Sequence, residues 1–102
     1  MTRIVHCKKE PYDIYIGRPS KWGNPFEIGV DGDRNSVINK FEEWLKTGNN
    51  FGCDNATQEK RNLILNSLGE LSGKTLGCWC YPKDCHGRIL KELFNVSSIF
   101  KK

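Results

Sequence analysis

The reactive side chains of this chain gather in one stretch, Leu76-Gly77-Cys78-Trp79-Cys80-Tyr81-Pro82-Lys83-Asp84-Cys85-His86-Gly87, which holds three of the five cysteines and one of the two histidines. Three chemistries suit it. Zinc ligation would use Cys78, Cys80, Cys85 and His86, but the C-x-C-x4-C-H spacing is poor, because adjacent Cys85 and His86 seldom hold one ion together and no second knuckle exists. We expect no metal and no cofactor. A reactive thiol would be Cys85, at a helix N-terminus beside His86 and Lys83, where a thiolate is favoured and Cys80 could resolve it. A binding loop would use Cys80 and Cys85 as small apolar wall groups, while Lys83, His86 and the first N–H groups of the next helix hold an anion, typically a phosphate. The binding loop makes the fewest demands and is the preferred reading.

A second stretch, Gly17 to Phe26, carries complementary groups. Arg18 and Lys21 suit a phosphate or carboxylate, Arg in the bidentate mode. Ser20 and Asn24 add a hydroxyl and an amide, and Trp22 offers a face on which a base can stack. The plainer alternative has Trp22 and Phe26 plugging the core while Asn24-Pro25 makes a turn, and for Trp22 the two are evenly matched. For Arg18, Ser20, Lys21 and Asn24, so many polar groups between two aromatic anchors point to ligand binding.

The elements that must position these loops follow from periodicity. Arg3 to Cys7 reads as a strand, and Asp13 to Ile16 as a second, expected to run antiparallel to the first because the connection is short. Val37, Ile38, Phe41, Trp44 and Leu45 form the apolar stripe of a helix that Asp33 or Asn35 caps and Gly48-Asn49-Asn50 stops. A second helix runs from about Thr57 to Glu70 with Ile64, Leu65, Leu68 and Leu71 inward. Thr75 to Cys80 is a short buried strand. A last helix, from about His86 to Asn95 with Asp84 as its N-cap, carries Ile89, Leu90, Leu93 and Phe94 on one face. The order β-β-α-α-β-α predicts a single α/β domain over 1–102, a three-stranded mixed sheet with helices packed on it. The long helical crossover favours parallel pairing of the second and third strands, with their carboxyl ends on one edge. The Gly17–Phe26 loop and the Cys80–His86 loop should therefore build one pocket.

The bulk properties narrow the classes. A chain of 102 residues bounds a modest core. Five cysteines without a secretory signal argue against a disulfide framework, and no apolar run approaches a membrane span, so a soluble cytoplasmic protein is expected. The net charge of +4 suits acidic partners, but the positive residues are scattered rather than grouped into a nucleic-acid footprint. Asp31-x-Asp33-x-Asn35 with Glu42 imitates a calcium loop but has Ser36 where the sharp turn needs glycine.

Arg18-Pro19-Ser20-Lys21-Trp22-Gly23-Asn24-Pro25-Phe26, followed by Leu76-Gly77-Cys78-Trp79-Cys80-x-Pro82-x-x-Cys85-His86-Gly87, resembles the small domain-of-unknown-function family 4326 of bacteria, plasmids and many phages. The likeness runs from Asp13 to Asn95. The cysteine half also resembles a second uncharacterised family whose motif ends Cys-His-Arg, where this chain has Gly87. The resemblance implies a compact α/β domain with a site between the two motifs, and its phage distribution suggests a viral origin and a host-cytoplasmic location.

The function expected from these residues is a small binder of a phosphate-bearing nucleotide derivative. A concrete version is a viral anti-defence sponge that sequesters an ADP-ribose-type or cyclic nucleotide immune signal without cleaving it. The alternatives are a nucleotide- or nucleoside-processing enzyme of glycosidase or transferase type using Cys85 and His86, and, third, a nucleic-acid or protein-partner adaptor.

Overall fold

The computed structural model describes residues 3–18, 20–79 and 86–100, the last five by backbone alone. The elements run β1 (Arg3–His6), β2 (Ile14–Tyr15), α1 (Arg34–Thr47), α2 (Gln58–Ser67) with a 3-10 turn at Leu68–Leu71, β3 (Thr75–Cys78) and α3 (Gly87–Phe100). This is a small α/β domain in the expected element order. The sheet is wholly parallel rather than mixed, in the order β1-β3-β2. β1 and β2 do not pair with each other; each pairs with β3 in parallel, Ile4 and Ile14 both opposite Leu76.

The expected antiparallel hairpin fails for a reason of scale. Parallel neighbours normally need a long crossover because the chain must travel back along a full strand. Here β1 has four residues, ~13 Å of strand. The segment from Cys7 to Asp13 can reach roughly 23 Å, enough to return and re-enter on the far side of β3. It crosses at Gly77, where a Cβ would lie 2.6 Å from the Tyr12 ring. Asp13 then clasps the start of β3, its amide donating to the Thr75 carbonyl at 2.8 Å and its carboxylate accepting from the Thr75 amide at 2.8 Å.

The helices follow the apolar stripes. Val37, Ile38, Phe41, Trp44 and Leu45 of α1 are all buried, and Asp33 is the cap, its carboxylate accepting from the Ser36 amide. Gly48 closes α1 in the left-handed region, φ 88°, where glycine has no steric penalty. Thr57 caps α2, and the chain tightens into the 3-10 turn that buries Leu68 and Leu71. β3 ends at Cys78, two residues earlier than expected, and α3 continues to Phe100 because no glycine or proline follows Asn95 to stop it. The proposed cap Asp84 lies outside the described residues.

One core cluster joins the three helices to Ile16, Leu76 and Cys78. By strand alternation these residues share a sheet face, and Val5, Gly77 and Tyr15 share the other. That second face is covered at Gly77 by Tyr12 instead of by a helix. Gly77→Ala is therefore expected to destabilise the protein by about 1–3 kcal/mol through overpacking. Tyr12→Ala should relieve most of that cost, and a double-mutant cycle by urea denaturation that finds the two substitutions additive would refute the contact.

Candidate functional site

The parallel pairing sends the carboxyl ends of β2 and β3 to one edge, which is where open α/β sheets bind ligands. A cavity of about 260 Å³ lies there. Tyr15 and Gly17 line it from β2 and its exit, Cys78 and Trp79 from β3, and Arg18, Asn24, Phe26 and Ile28 from the loop after β2. Arg34, Val37 and Ile38 face it from the start of α1, and His86 closes it just before α3.

His86 fastens the entry of α3 to the exit of β2. Its Nε2 lies 2.7 Å from the Ile16 carbonyl oxygen. A carbonyl only accepts, so Nε2 carries the proton. The ring meets Phe41 edge-on at 5.3 Å between centroids. Burial pushes the imidazole down to about 4 although the backbone carbonyls of Ile16 and Trp22 favour its protonated form; the charges of Arg18 and Lys60 push the same way as burial. At neutral pH His86 is an uncharged donor directed at the Ile16 carbonyl, whereas the sequence reading places it on an anion.

Asn24 is a second fastener. Its Nδ2 donates to the Val37 carbonyl at 3.1 Å and its Oδ1 accepts from the Phe26 amide at 2.9 Å, which ties the loop to the first turn of α1. Ser20 turns inward on its own loop, its hydroxyl donating to the Gly17 carbonyl, and does not line the cavity. Trp22 is core, 2% exposed, so neither of its faces is open for stacking and the plug reading holds. Lys21 points away from the cavity. Its ammonium lies 2.8 and 3.0 Å from the two Glu70 carboxylate oxygens, 3.3 Å from the Ser67 hydroxyl, and over the Trp22 ring.

Arg18 remains at the cavity, paired with Glu27 at 2.7 Å with both side chains about half exposed. Such exposed pairs contribute about 0–1 kcal/mol, little enough for a phosphate to displace or share. Cys80, Lys83 and Cys85 lie outside the described residues, while Cys78 is buried in the core.

Arg34 and Trp79 are among the cavity residues that the sequence reading does not assign to the site. Arg34 occupies the first position of α1, inside a stretch dismissed as a false calcium loop. Trp79 follows Cys78, and alternation past the strand end points it away from the core, the one signal that could have marked it. The α1 N-terminus adds its partial positive charge at the cavity. Asp33 already occupies the Ser36 amide, so the arginines are the stronger anion partners.

The chain belongs to the DUF4326 family, a domain of unknown function, whose model matches residues 2–96. It is 33% identical over 97 residues to an uncharacterized 12.4 kDa protein in the nrdA-td intergenic region of Enterobacteria phage T4, a match covering 93% of this chain and 79% of that protein. It is 29% identical over 102 residues to an uncharacterized protein of Acanthamoeba polyphaga mimivirus, covering 82% of this chain and 68% of the other. No solved structure matches the chain. Among the described residues no helix is long and apolar enough to cross a membrane.

The part-buried His86 makes a pH prediction. Its folded pKa lies below the unfolded value, so between about 4 and 6.5 the unfolded chain binds the extra proton. Its stabilising effect is complete above pH 6.5 and is lost as pH falls through that window, on the order of 3 kcal/mol at the lower end. Urea midpoints measured from pH 7 to 4 should fall more steeply for the wild type than for His86→Gln. Parallel curves would show that His86 is not the group responsible.

Proposed function

We propose that this DUF4326 protein is a small binding protein for a phosphate-bearing nucleotide derivative, held in the cavity at the carboxyl edge of the sheet. The observation that carries the reading is the meeting of Arg18 and Arg34, from a loop and from a helix start, at one concave site beside the α1 N-terminus. Guanidinium groups recognise phosphate by two parallel N–H donors and stay charged at any working pH.

The lining favours binding over glycosidic cleavage. Among the described cavity residues there is no carboxylate, whereas glycoside chemistry ordinarily uses a pair of them. Glu27, the acid beside Arg18, is paired with it. His86 is neutral and bonded to the backbone, which makes it a fastener of the loop rather than a proton donor to substrate. Relatives in a phage and a giant virus extend the proposal to a role: sequestration of an ADP-ribose-type or cyclic nucleotide immune signal, released intact.

Arg18→Ala and Arg34→Ala should each weaken binding of a nucleoside monophosphate by about ten-fold or more, the loss of one charge-assisted contact. Lys21→Ala should instead lower stability by about 1 kcal/mol and leave affinity unchanged. Calorimetric titration with melting curves separates the two effects. Wild-type affinity in both arginine variants would defeat the proposal, and mass spectrometry of the released ligand distinguishes binder from enzyme.

A further inference from the structure

Two of the three tryptophans belong to the core, Trp22 at 2% and Trp44 at 0% exposure, while Trp79 is 55% exposed at the lip of the cavity. An exposed indole is ordinarily a mobile surface group. This one is held on several sides. Its Nε1 donates to the Tyr15 hydroxyl at 2.7 Å, and that hydroxyl donates to the Arg18 carbonyl at 3.2 Å. The His6 ring meets it edge-on at 6.0 Å, and the Lys8 ammonium lies 5.2 Å from its ring centre.

We infer that Trp79 is the ring-binding residue of this site, so that the ligand is a nucleotide whose planar base stacks on the Trp79 indole while its phosphate lies between Arg18 and Arg34. The inference rests on the anion-binding reading above and adds the base, its platform and its orientation. Size supports it. A cavity of about 260 Å³ is at or below the small end of ligand pockets, roughly 300–1,000 Å³. It cannot enclose a whole nucleotide, and the part left outside must lie on the lip, where Trp79 is. Preorganisation supports it as well. The indole is already fixed by contacts with three residues, Tyr15, His6 and Lys8, so stacking does not have to freeze a free side chain. The Tyr15 hydroxyl links the indole to the backbone of Arg18, so the base platform and the phosphate group move as one unit. Tyr15 is a positioning residue here, since it acts through Trp79.

The test uses the intact chain with the four common nucleoside 5′-monophosphates, the corresponding nucleosides and ribose 5-phosphate as probes, followed by calorimetry and tryptophan fluorescence. At least one monophosphate should bind ten-fold or more tightly than ribose 5-phosphate and quench the accessible emission. Trp79→Ala should erase that margin while leaving ribose 5-phosphate affinity within two-fold, and Trp79→Phe should keep part of it. Tyr15→Phe, which keeps the ring but removes the hydroxyl that holds the indole, should reduce the margin. A margin that is absent in the wild type, or that survives in Trp79→Ala, overturns the inference while Arg18-dependent binding of ribose 5-phosphate would still stand. Conversely, a nucleoside that binds in a Trp79-dependent way while no phosphate improves it supports the platform and sinks the anion site. Failure of every probe to bind overturns both.

Discussion

Everything at the site depends on β3 being hydrogen-bonded in parallel on both sides. The Cys7 amide reaches the Cys78 carbonyl and the Ile16 amide reaches the Gly77 carbonyl, each at 2.9 Å, so all three strands end at the same level. Parallel strands leave their carboxyl ends together. The β2 exit loop, the end of β3 and the entry to α3 must then converge, and the α1 start is drawn in by Asn24. An antiparallel β1–β2 hairpin would have left β3 as an edge strand.

The polar groups at this edge divide by task. Asn24, Ser20 and His86 hold the backbone in place, and each is directed at a carbonyl or amide of the loops themselves. Lys21 is held by Glu70 on the outer side. Arg18, paired with Glu27, and Arg34 line the cavity with Tyr15 and Trp79. A loop of this kind needs many polar residues to stay in one conformation, because its amides and carbonyls lack a ladder to pair with. Polarity in the loop is therefore weak evidence of ligand contact, and direction of the side chain decides.

This explains how far the sequence could be read. The α1 stripe from Val37 to Leu45 and its Asp33 cap were legible because each obeys a local rule. The meeting of the Gly17–Phe26 loop with His86 was legible because a helical crossover enforces parallel ends. The direction of β2 was not, since the loop-length rule assumes strands longer than the four residues of β1 and the two of β2. Arg18 and Lys21 are two cations of one loop, yet a turn of that loop sends one to the cavity and the other to Glu70. Trp22 lies in the core and Trp79 at the cavity lip, a difference the sequence does not report because burial is set by packing that only the folded chain defines.

The outer strands have a consequence for how the protein behaves in quantity. A three-stranded open sheet has two free edges, and long flat edges recruit further strands from neighbouring molecules. Here the edges are two and four residues long, and β1 runs into Lys8 and Lys9. Such short, charged borders are poor templates for edge-to-edge growth. On the binding reading proposed above, capture of one ligand per chain would require the protein to match its target in copy number, and tolerance of crowding with its own kind would then matter to its action.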